Sequence, residues 1–203
     1  TNQNITMTPI NVTDADADIV KNITNWFTNS SSLIILNLPF EGGSNSTFTR
    51  DYSGTNNSGL RNGTVLGATY NLTRGVDGRG AYTFDGVNDA INITTHTSLD
   101  GFTTGFTIMA WINSTSSPFF GDAVIRKSNA YIMSTTFLGT NEVGCYVYNT
   151  TGFGGADGLG TTTLTNGRWY HIACRYDGST GNLTAFVNGR VDGSTILTIG
   201  STV

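Results

Sequence analysis

The sequence predicts an all-β protein made of two antiparallel sheets packed as a sandwich, and two observations support this prediction. Gly, Asn, Ser and Thr are abundant, with 26 Gly among the 203 residues, so residues that favour turns and strands outnumber strong helix formers. From residue 33 onward, short apolar segments recur with Gly, Asn or Asp between them and no helical pattern intervening. Regularly spaced short strands of this kind are typical of a sandwich.

The first 32 residues are predicted to be an extension, and residues 33–203 to be the sandwich domain. Residues 3–13 alternate polar with apolar side chains, and the apolar ones are Ile5, Met7, Ile10 and Val12. Because a proline at position 9 interrupts the alternation, this segment is predicted to be a short strand at a sheet edge or bulge.

A short helix is predicted over residues 14–27. Aspartates at its start suit the positive end of the helix dipole, and apolar residues follow at helical spacing from Ile19 to Phe27. Residues 28–32 have the Ser-rich composition of a linker.

The sandwich domain contains ten predicted strands, each an apolar or alternating segment bounded by turn residues. They are residues 33–40, 81–85, 89–94, 106–113, 122–126, 130–135, 142–148, 169–176, 183–188 and 195–199. The Gly-rich segment 152–160 lacks the spacing of a phosphate loop and is interpreted as a surface loop.

Charge and hydropathy exclude two classes of protein. The net charge is −4 and no run of Lys and Arg occurs, whereas nucleic-acid binding needs clustered basic residues. No apolar segment approaches the 18 or so residues that cross a bilayer as a helix.

The sequon Asn-x-Ser/Thr is the strongest single motif. It occurs far more often than the composition explains, and it predicts a densely N-glycosylated, exported protein whose glycans supply the solvation that its few charges do not. The sequon asparagines are Asn4, Asn11, Asn22, Asn29, Asn45, Asn56, Asn62, Asn71, Asn92, Asn113, Asn149 and Asn182.

The sequence contains no motif typical of a catalytic site, and the chain is predicted not to be an enzyme. The two glutamates, Glu41 and Glu142, are far apart, whereas glycoside hydrolysis uses paired carboxylates. With His96 and His171 as the only histidines, a three-histidine zinc site is impossible within the chain. His171 is expected to be a surface or cross-strand residue.

Five segments occur in the order found in a known family. They are Leu36-Asn-Leu-Pro-Phe-Glu41, Gly80 to Ile93, Gly105-Phe-Thr-Ile-Met-Ala-Trp-Ile112, Gly167 to Gly178 and Leu183-Thr-Ala-Phe-Val-Asn-Gly189. Together they resemble the laminin G-like, concanavalin A-like jelly roll. The resemblance implies a two-sheet jelly roll that serves adhesion or carbohydrate binding, and a calcium ion at a loop rim.

The candidate calcium ligands are Asp85, Asn88 and Asp89, whose oxygens lie in a Gly-containing turn, and the resemblance adds to this expectation. The same residues are also typical of a simple turn, and no cofactor is required by the rest of the sequence. Trp111 and Trp169 lie in apolar strand segments and are expected in the core.

One disulfide is predicted. Cys145 shares a strand face with Val143 and Val147, and Cys174 shares one with Ile172 and Tyr176, so the thiols meet inside the sandwich if the two strands are neighbours. The other interpretation is a pair of buried free thiols.

The functional hypothesis is a structural or adhesive subunit of an extracellular, cell-surface filament. The family usually closes with a strand beside its first one, and the sequence shows no such segment before Val203. Residues 3–13 of an identical subunit are hypothesised to fill that edge as a donor strand beside residues 33–40 and to propagate a fibre. A carbohydrate-binding, calcium-dependent module is the alternative, and a fragment without its last strand explains the same edge.

Overall fold

The computed structural model describes residues 23–29, 31–53, 61–100, 102, 104–115, 123–135, 141–149, 152–156 and 160–197. Within these ranges the chain forms antiparallel strands and two single turns of 3-10 helix, Val76–Gly78 and Thr97–Leu99. No helix in them has the length and hydropathy to cross a bilayer. The fold is all-β and antiparallel, as predicted. The chain divides into two compact units, residues 1–94 and residues 95–203.

The described part of the first unit contains seven short strands. They are β1 (Phe27–Thr28), β2 (Ser31–Ser32), β3 (Phe48–Thr49), β4 (Gly63–Leu66), β5 (Thr69–Asn71), β6 (Ala81–Thr83) and β7 (Ala90–Ile93). β1 pairs with β2 and β5 with β6, while β3, β4 and β7 form a three-stranded sheet in that order.

Aromatic packing and one buried ion pair stabilise the first unit. Tyr82 packs edge-on against Phe40, with ring centroids 4.9 Å apart, and its hydroxyl donates to the carbonyls of Asn45 and Phe48. Asp51 is buried with Arg61, whose Nε lies 3.2 Å from a carboxylate oxygen. Breaking such a pair leaves an uncompensated buried charge, so these two residues fix the segments that carry them.

Within the described residues of the second unit, eight strands form two four-stranded sheets. They are β8 (Gly105–Asn113), β9 (Ala123–Lys127), β10 (Tyr131–Ser134), β11 (Gly144–Asn149), β12 (Gly152–Ala156), β13 (Trp169–Asp177), β14 (Asn182–Val187) and β15 (Arg190–Ile196). One sheet has the order β12-β11-β10-β9 and the other β15-β14-β13-β8.

The two sheets of the second unit enclose one apolar core. Met133, Val143 and Val147 from one sheet pack with Ile172 and Leu183 from the other, and all five are almost fully buried. Cys145 of β11 and Cys174 of β13 form a disulfide, with Cα atoms 5.7 Å apart. The predicted bond is therefore confirmed, and it joins the two sheets through the centre of the core.

Most of the strands predicted in the second unit are confirmed, but β15 begins earlier than predicted. Residues 195–199 were expected to form a strand, whereas the strand is Arg190–Ile196. Asn188 and Gly189 both have positive φ, 50° and 76°, which gives the tight hairpin turn that returns the chain at once. The segment 152–160, expected to be a loop, contains β12 paired along β11.

In the first unit, the strand predicted over residues 33–40 is wrong. These residues follow β2 without regular structure, and Phe40 has a φ of 58°, outside the strand region. Pro39 lacks an N–H, and the N–H of Asn37 donates to the buried carboxylate of Asp51 instead of to a strand. The strands β3, β4 and β5 were not predicted.

The helix predicted over residues 14–27 lies mostly outside the described residues, and its described end is not helical. Phe27 pairs with Ser32 in a β1–β2 hairpin, so the predicted linker 28–32 is part of that hairpin. Asn29 takes a left-handed φ of 46° in the turn, and Phe27 is 55% exposed. An apolar helical stripe forms only where its face is buried, and the described part of this one is not. The boundary predicted between residues 32 and 33 stays a prediction.

We expect replacement of both cysteines by alanine to lower the free energy of unfolding of the second unit by about 3–4 kcal/mol, because the disulfide closes a loop between residues 29 positions apart. Urea unfolding of the full chain with and without the two substitutions measures the loss. Alkylation of two thiols after unfolding the native protein without reductant would contradict the bond.

Candidate functional site

Among the described residues of the second unit, the strand β8 is an edge strand, as β15 is at the other end of the same sheet. It lies at one end of its sheet and has a hydrogen-bonded neighbour, β13, on one side within the described residues. Phe106, Ile108, Ala110 and Ile112 pack against the core. The alternate residues therefore face outward, since successive side chains of a strand point to opposite faces.

The outward residues of this sheet form an aromatic surface, which we call the aromatic face and define as Met109, Trp111, Trp169, His171 and Phe186. Met109 is 55% exposed and Trp111 is 50% exposed. His171 is the cross-strand partner of Trp111, with ring centroids 5.3 Å apart in an edge-on arrangement. The guanidinium of Arg175 lies 5.8 Å from the centroid of the Phe186 ring.

Electrostatically the aromatic face is close to neutral near Trp111. Burial lowers the pKa of His171 below its usual 6.5, because the charged imidazolium loses solvation beside the indole. At neutral pH the face therefore presents apolar and aromatic groups. It suits an apolar surface or the C–H face of a sugar ring.

The expectation that Trp111 lies in the core is wrong, whereas His171 is the cross-strand residue that was predicted. The inward row beginning at Phe106 takes the even positions of β8, and this places Trp111 on the outer face. The alternation in Phe106-Thr-Ile-Met-Ala-Trp-Ile112 carries this signal, since Met109 and Trp111 share the parity of the polar Thr107. Trp169 is partly buried on the same face.

A second surface feature is an open groove beside the β14–β15 turn, about 500 Å³ in volume. Thr162, Tyr170, Val187, Asn188, Arg190, Val191 and Asp192 line it. The carboxylate of Asp192 accepts hydrogen bonds from the backbone N–H groups of Thr161 and Thr162, at 3.0 and 3.2 Å, so one rim is held firmly. The groove thus combines an aromatic ring with planar polar groups.

The glutamates considered for catalysis lie in different units. Glu41 is 1% exposed, and its carboxylate accepts a hydrogen bond of 2.7 Å from the N–H of Gly80. Glu142 is partly buried just before β11. His96 caps the 3-10 turn Thr97–Leu99 by accepting from the N–H of Ser98. Glu41 and His96 therefore have contacts that explain them structurally.

The residues suggested for calcium are close together in a turn. The N–H of Asp85 donates to the carboxylate of Asp89, and the N–H of Val87 donates to the carboxylate of Asp85, both at 2.8 Å. Asn88 is exposed between them. Among the described residues, no three His, Cys, Asp or Glu side chains cluster as metal ligands do. A calcium ion at Asp85, Asn88 and Asp89 stays a prediction.

Seven sequon asparagines have described side chains, and none of them is buried. Asn29, Asn45, Asn92 and Asn113 are exposed, while Asn62, Asn71 and Asn182 are partly buried. In two sequons the Asn oxygen accepts from the N–H of the sequon threonine, at 2.9 Å for Asn45 and 3.0 Å for Asn71. Asn149 ends β11. The remaining sequons, Asn4, Asn11, Asn22 and Asn56, lie outside the described residues, as do Ile5, Met7, Ile10 and Val12 of the predicted donor strand.

The fold and this surface define a disulfide-bonded β-sandwich of the laminin G type. Comparison with protein families gives a laminin G match, described as the concanavalin A-like lectin/glucanases superfamily, over residues 84–203. This segment is more than half of the chain, and the chain belongs to that superfamily. A search of curated proteins finds no relative.

We expect His171 to titrate below pH 6.5. The unfolded chain takes up this proton first as the pH falls, so the fold loses stability from about pH 6.5 down to the lower folded-state pKa. A proton NMR titration of the two imidazoles measures the midpoint, and a His171→Gln variant identifies the resonance. A midpoint at or above 6.5 would contradict the loss of solvation of the ring.

Proposed function

We propose that this chain is a non-enzymatic extracellular glycoprotein, acting as a structural or adhesive filament subunit that binds a strand from a second copy. The observation that carries the proposal is β8, a nine-residue strand with one sheet neighbour among the described residues. A strand edge of this length offers backbone N–H and C=O groups to an added strand.

The donor we propose is residues 3–13 of the second copy. An added strand beside β8 extends the inner row of Phe106, Ile108 and Ala110, so its own inward positions must be apolar. Ile5 and Met7 share one parity of the sequence and would satisfy this requirement in a strand, and a bulge at Pro9 would bring Ile10 and Val12 to the same face. This acceptor replaces the strand over residues 33–40, which does not form.

Two features support an extracellular location. The Cys145–Cys174 disulfide is typical of proteins that fold in oxidising compartments. The accessible sequon asparagines suit N-glycosylation, which takes place on exported chains. Both features agree with the adhesive and carbohydrate-binding roles that the resemblance implies.

The non-enzymatic part of the proposal rests on what the acidic groups do. Glu41 is buried on a backbone N–H, and Asp85 and Asp89 hold a turn. Asp192 holds the backbone of Thr161 and Thr162. Each of these carboxylates has a structural task, and glycoside hydrolysis needs two that face one substrate bond.

We expect Met7→Asp to abolish fibres, because a charge would be placed on the inward face of the donor strand. Thr8→Asp is the matched control: the adjacent position points to the other face, and the added charge is the same. Electron microscopy of both variants beside the unmodified chain gives the comparison. Normal fibres from Met7→Asp, or a stable monomer of the unmodified chain at high concentration, would reject strand donation.

Carbohydrate binding is the second candidate, and the groove beside the β14–β15 turn favours it. Sugar hydroxyl groups pair well with planar polar side chains, and Asn188 and Arg190 line this groove with the Tyr170 ring. Asp192 fixes one rim of this groove by accepting from the backbone N–H groups of Thr161 and Thr162. Calcium dependence is part of this candidate function, and chelation of calcium tests it.

We expect Arg190→Ala to weaken a bound oligosaccharide about tenfold, since a lost hydrogen bond to a charged group is worth about 1.4 kcal/mol or more. Arg168→Ala is the control. It removes the same charge from a residue that stacks on Tyr170 but does not itself line the groove. A glycan array followed by calorimetry, with and without EDTA, measures both. Equal affinities for the two variants would place any sugar elsewhere.

A further inference from the structure

The aromatic face is most open at Met109 and Trp111, which no described residue covers fully. Met109 and Trp111 are neighbours on the outer side of β8, and both are at least half exposed. Adjacent apolar side chains of this size at a sheet edge promote aggregation unless something covers them. The covering group must be neutral and partly apolar, since the face around Trp111 has those properties.

The same face carries a sequon at its border. Asn113 is exposed at the end of β8 and starts the motif Asn113-Ser-Thr115. It lies two residues after Trp111 on the same side of the strand, a separation of about 7 Å. Its cross-strand partner is Trp169, about 5 Å away between Cβ atoms. A group attached to Asn113 thus starts next to Trp169 and within reach of Trp111.

We propose that the N-glycan on Asn113 folds back over the aromatic face and packs its first sugar rings on Trp111. A pyranose ring has one face of C–H groups, which stacks on an indole, and hydroxyl groups on its rim, which remain in water. The glycan therefore covers the apolar area of Trp111 and Met109 while it presents a polar surface outward. The inference rests on the glycosylation that the proposed function includes.

This position of the glycan is compatible with strand addition at β8. The glycan lies above the plane of the sheet, whereas the edge hydrogen bonds of β8 run within that plane. Covering the aromatic face also directs association to the edge, because it removes the competing apolar contact between copies. The Asn113 glycan would thus act as a specificity element and a solubilising group together.

The test uses the full chain produced in cells that add N-glycans. Thr115→Ala removes the sequon of Asn113, and Thr94→Ala removes that of Asn92, which is exposed on β7 in the other unit. Acrylamide quenching of tryptophan fluorescence measures the exposure of the indoles. We expect the quenching constant to rise about twofold in Thr115→Ala, to stay unchanged in Thr94→Ala, and not to rise when Trp111→Phe is added.

Glycopeptide mass spectrometry separates the ways in which this can fail. Empty sequons throughout the chain would contradict the glycoprotein of the proposed function itself. An occupied Asn113 with equal quenching in the unmodified chain, Thr115→Ala and Thr94→Ala would overturn only the packing of the glycan on Trp111. Two further results in Thr115→Ala would also overturn the packing of the glycan on Trp111: protection of Trp111 from quenching by added free oligosaccharide, and protection by a dimer that persists in this variant. In either case another occupant would cover the aromatic face.

Discussion

The structure of the second unit depends on the contact between its two sheets at the Cys145–Cys174 disulfide. Both sulfur-bearing residues are almost fully buried, and they lie in the same core as Met133, Ile172 and Leu183. The bond restrains the unfolded chain, and the surrounding side chains exclude water from the gap between sheets. Every strand that faces this core must place alternate side chains inward, and the register of the sheets is set accordingly.

The surface of the unit follows from that constraint. On β8 the inward positions belong to Phe106 and the residues at every second position after it, so Met109 and Trp111 have no place in the core. On β13 the same rule places Ile172 and Cys174 inward and His171 outward beside Trp111. The aromatic face is therefore a consequence of core packing. Because it is exposed, a glycan, a sugar or another chain can pack on it.

Period-two alternation was enough to predict the disulfide and the strands of the second unit other than β12 and the start of β15, because these depend on which residues share a face. The same pattern placed Trp111 outward, but the general preference of tryptophan for the interior led to the opposite expectation.

The failures in the first unit have another cause. Residues 33–40 are apolar enough for a strand, but they do not pair in a sheet. The N–H of Asn37 donates a hydrogen bond to the buried Asp51, and the proline at position 39 has no N–H to donate. Tertiary contacts of this kind are not visible in a local pattern. The start of β15 follows from the Asn188-Gly189 turn, because the positive φ angles of these two residues return the chain into a strand at once.

Strand addition at β8 requires that the outer backbone N–H and C=O groups of this edge strand are unpaired in the monomer. Amide hydrogen exchange of the monomeric chain, read strand by strand, tests this directly. The central strands β13 and β14 should be protected along their whole length, whereas β8 should show alternate fast and slow amides, because only those directed at β13 are bonded. Uniform protection along β8 in the monomer would contradict the account, since its edge would already be occupied.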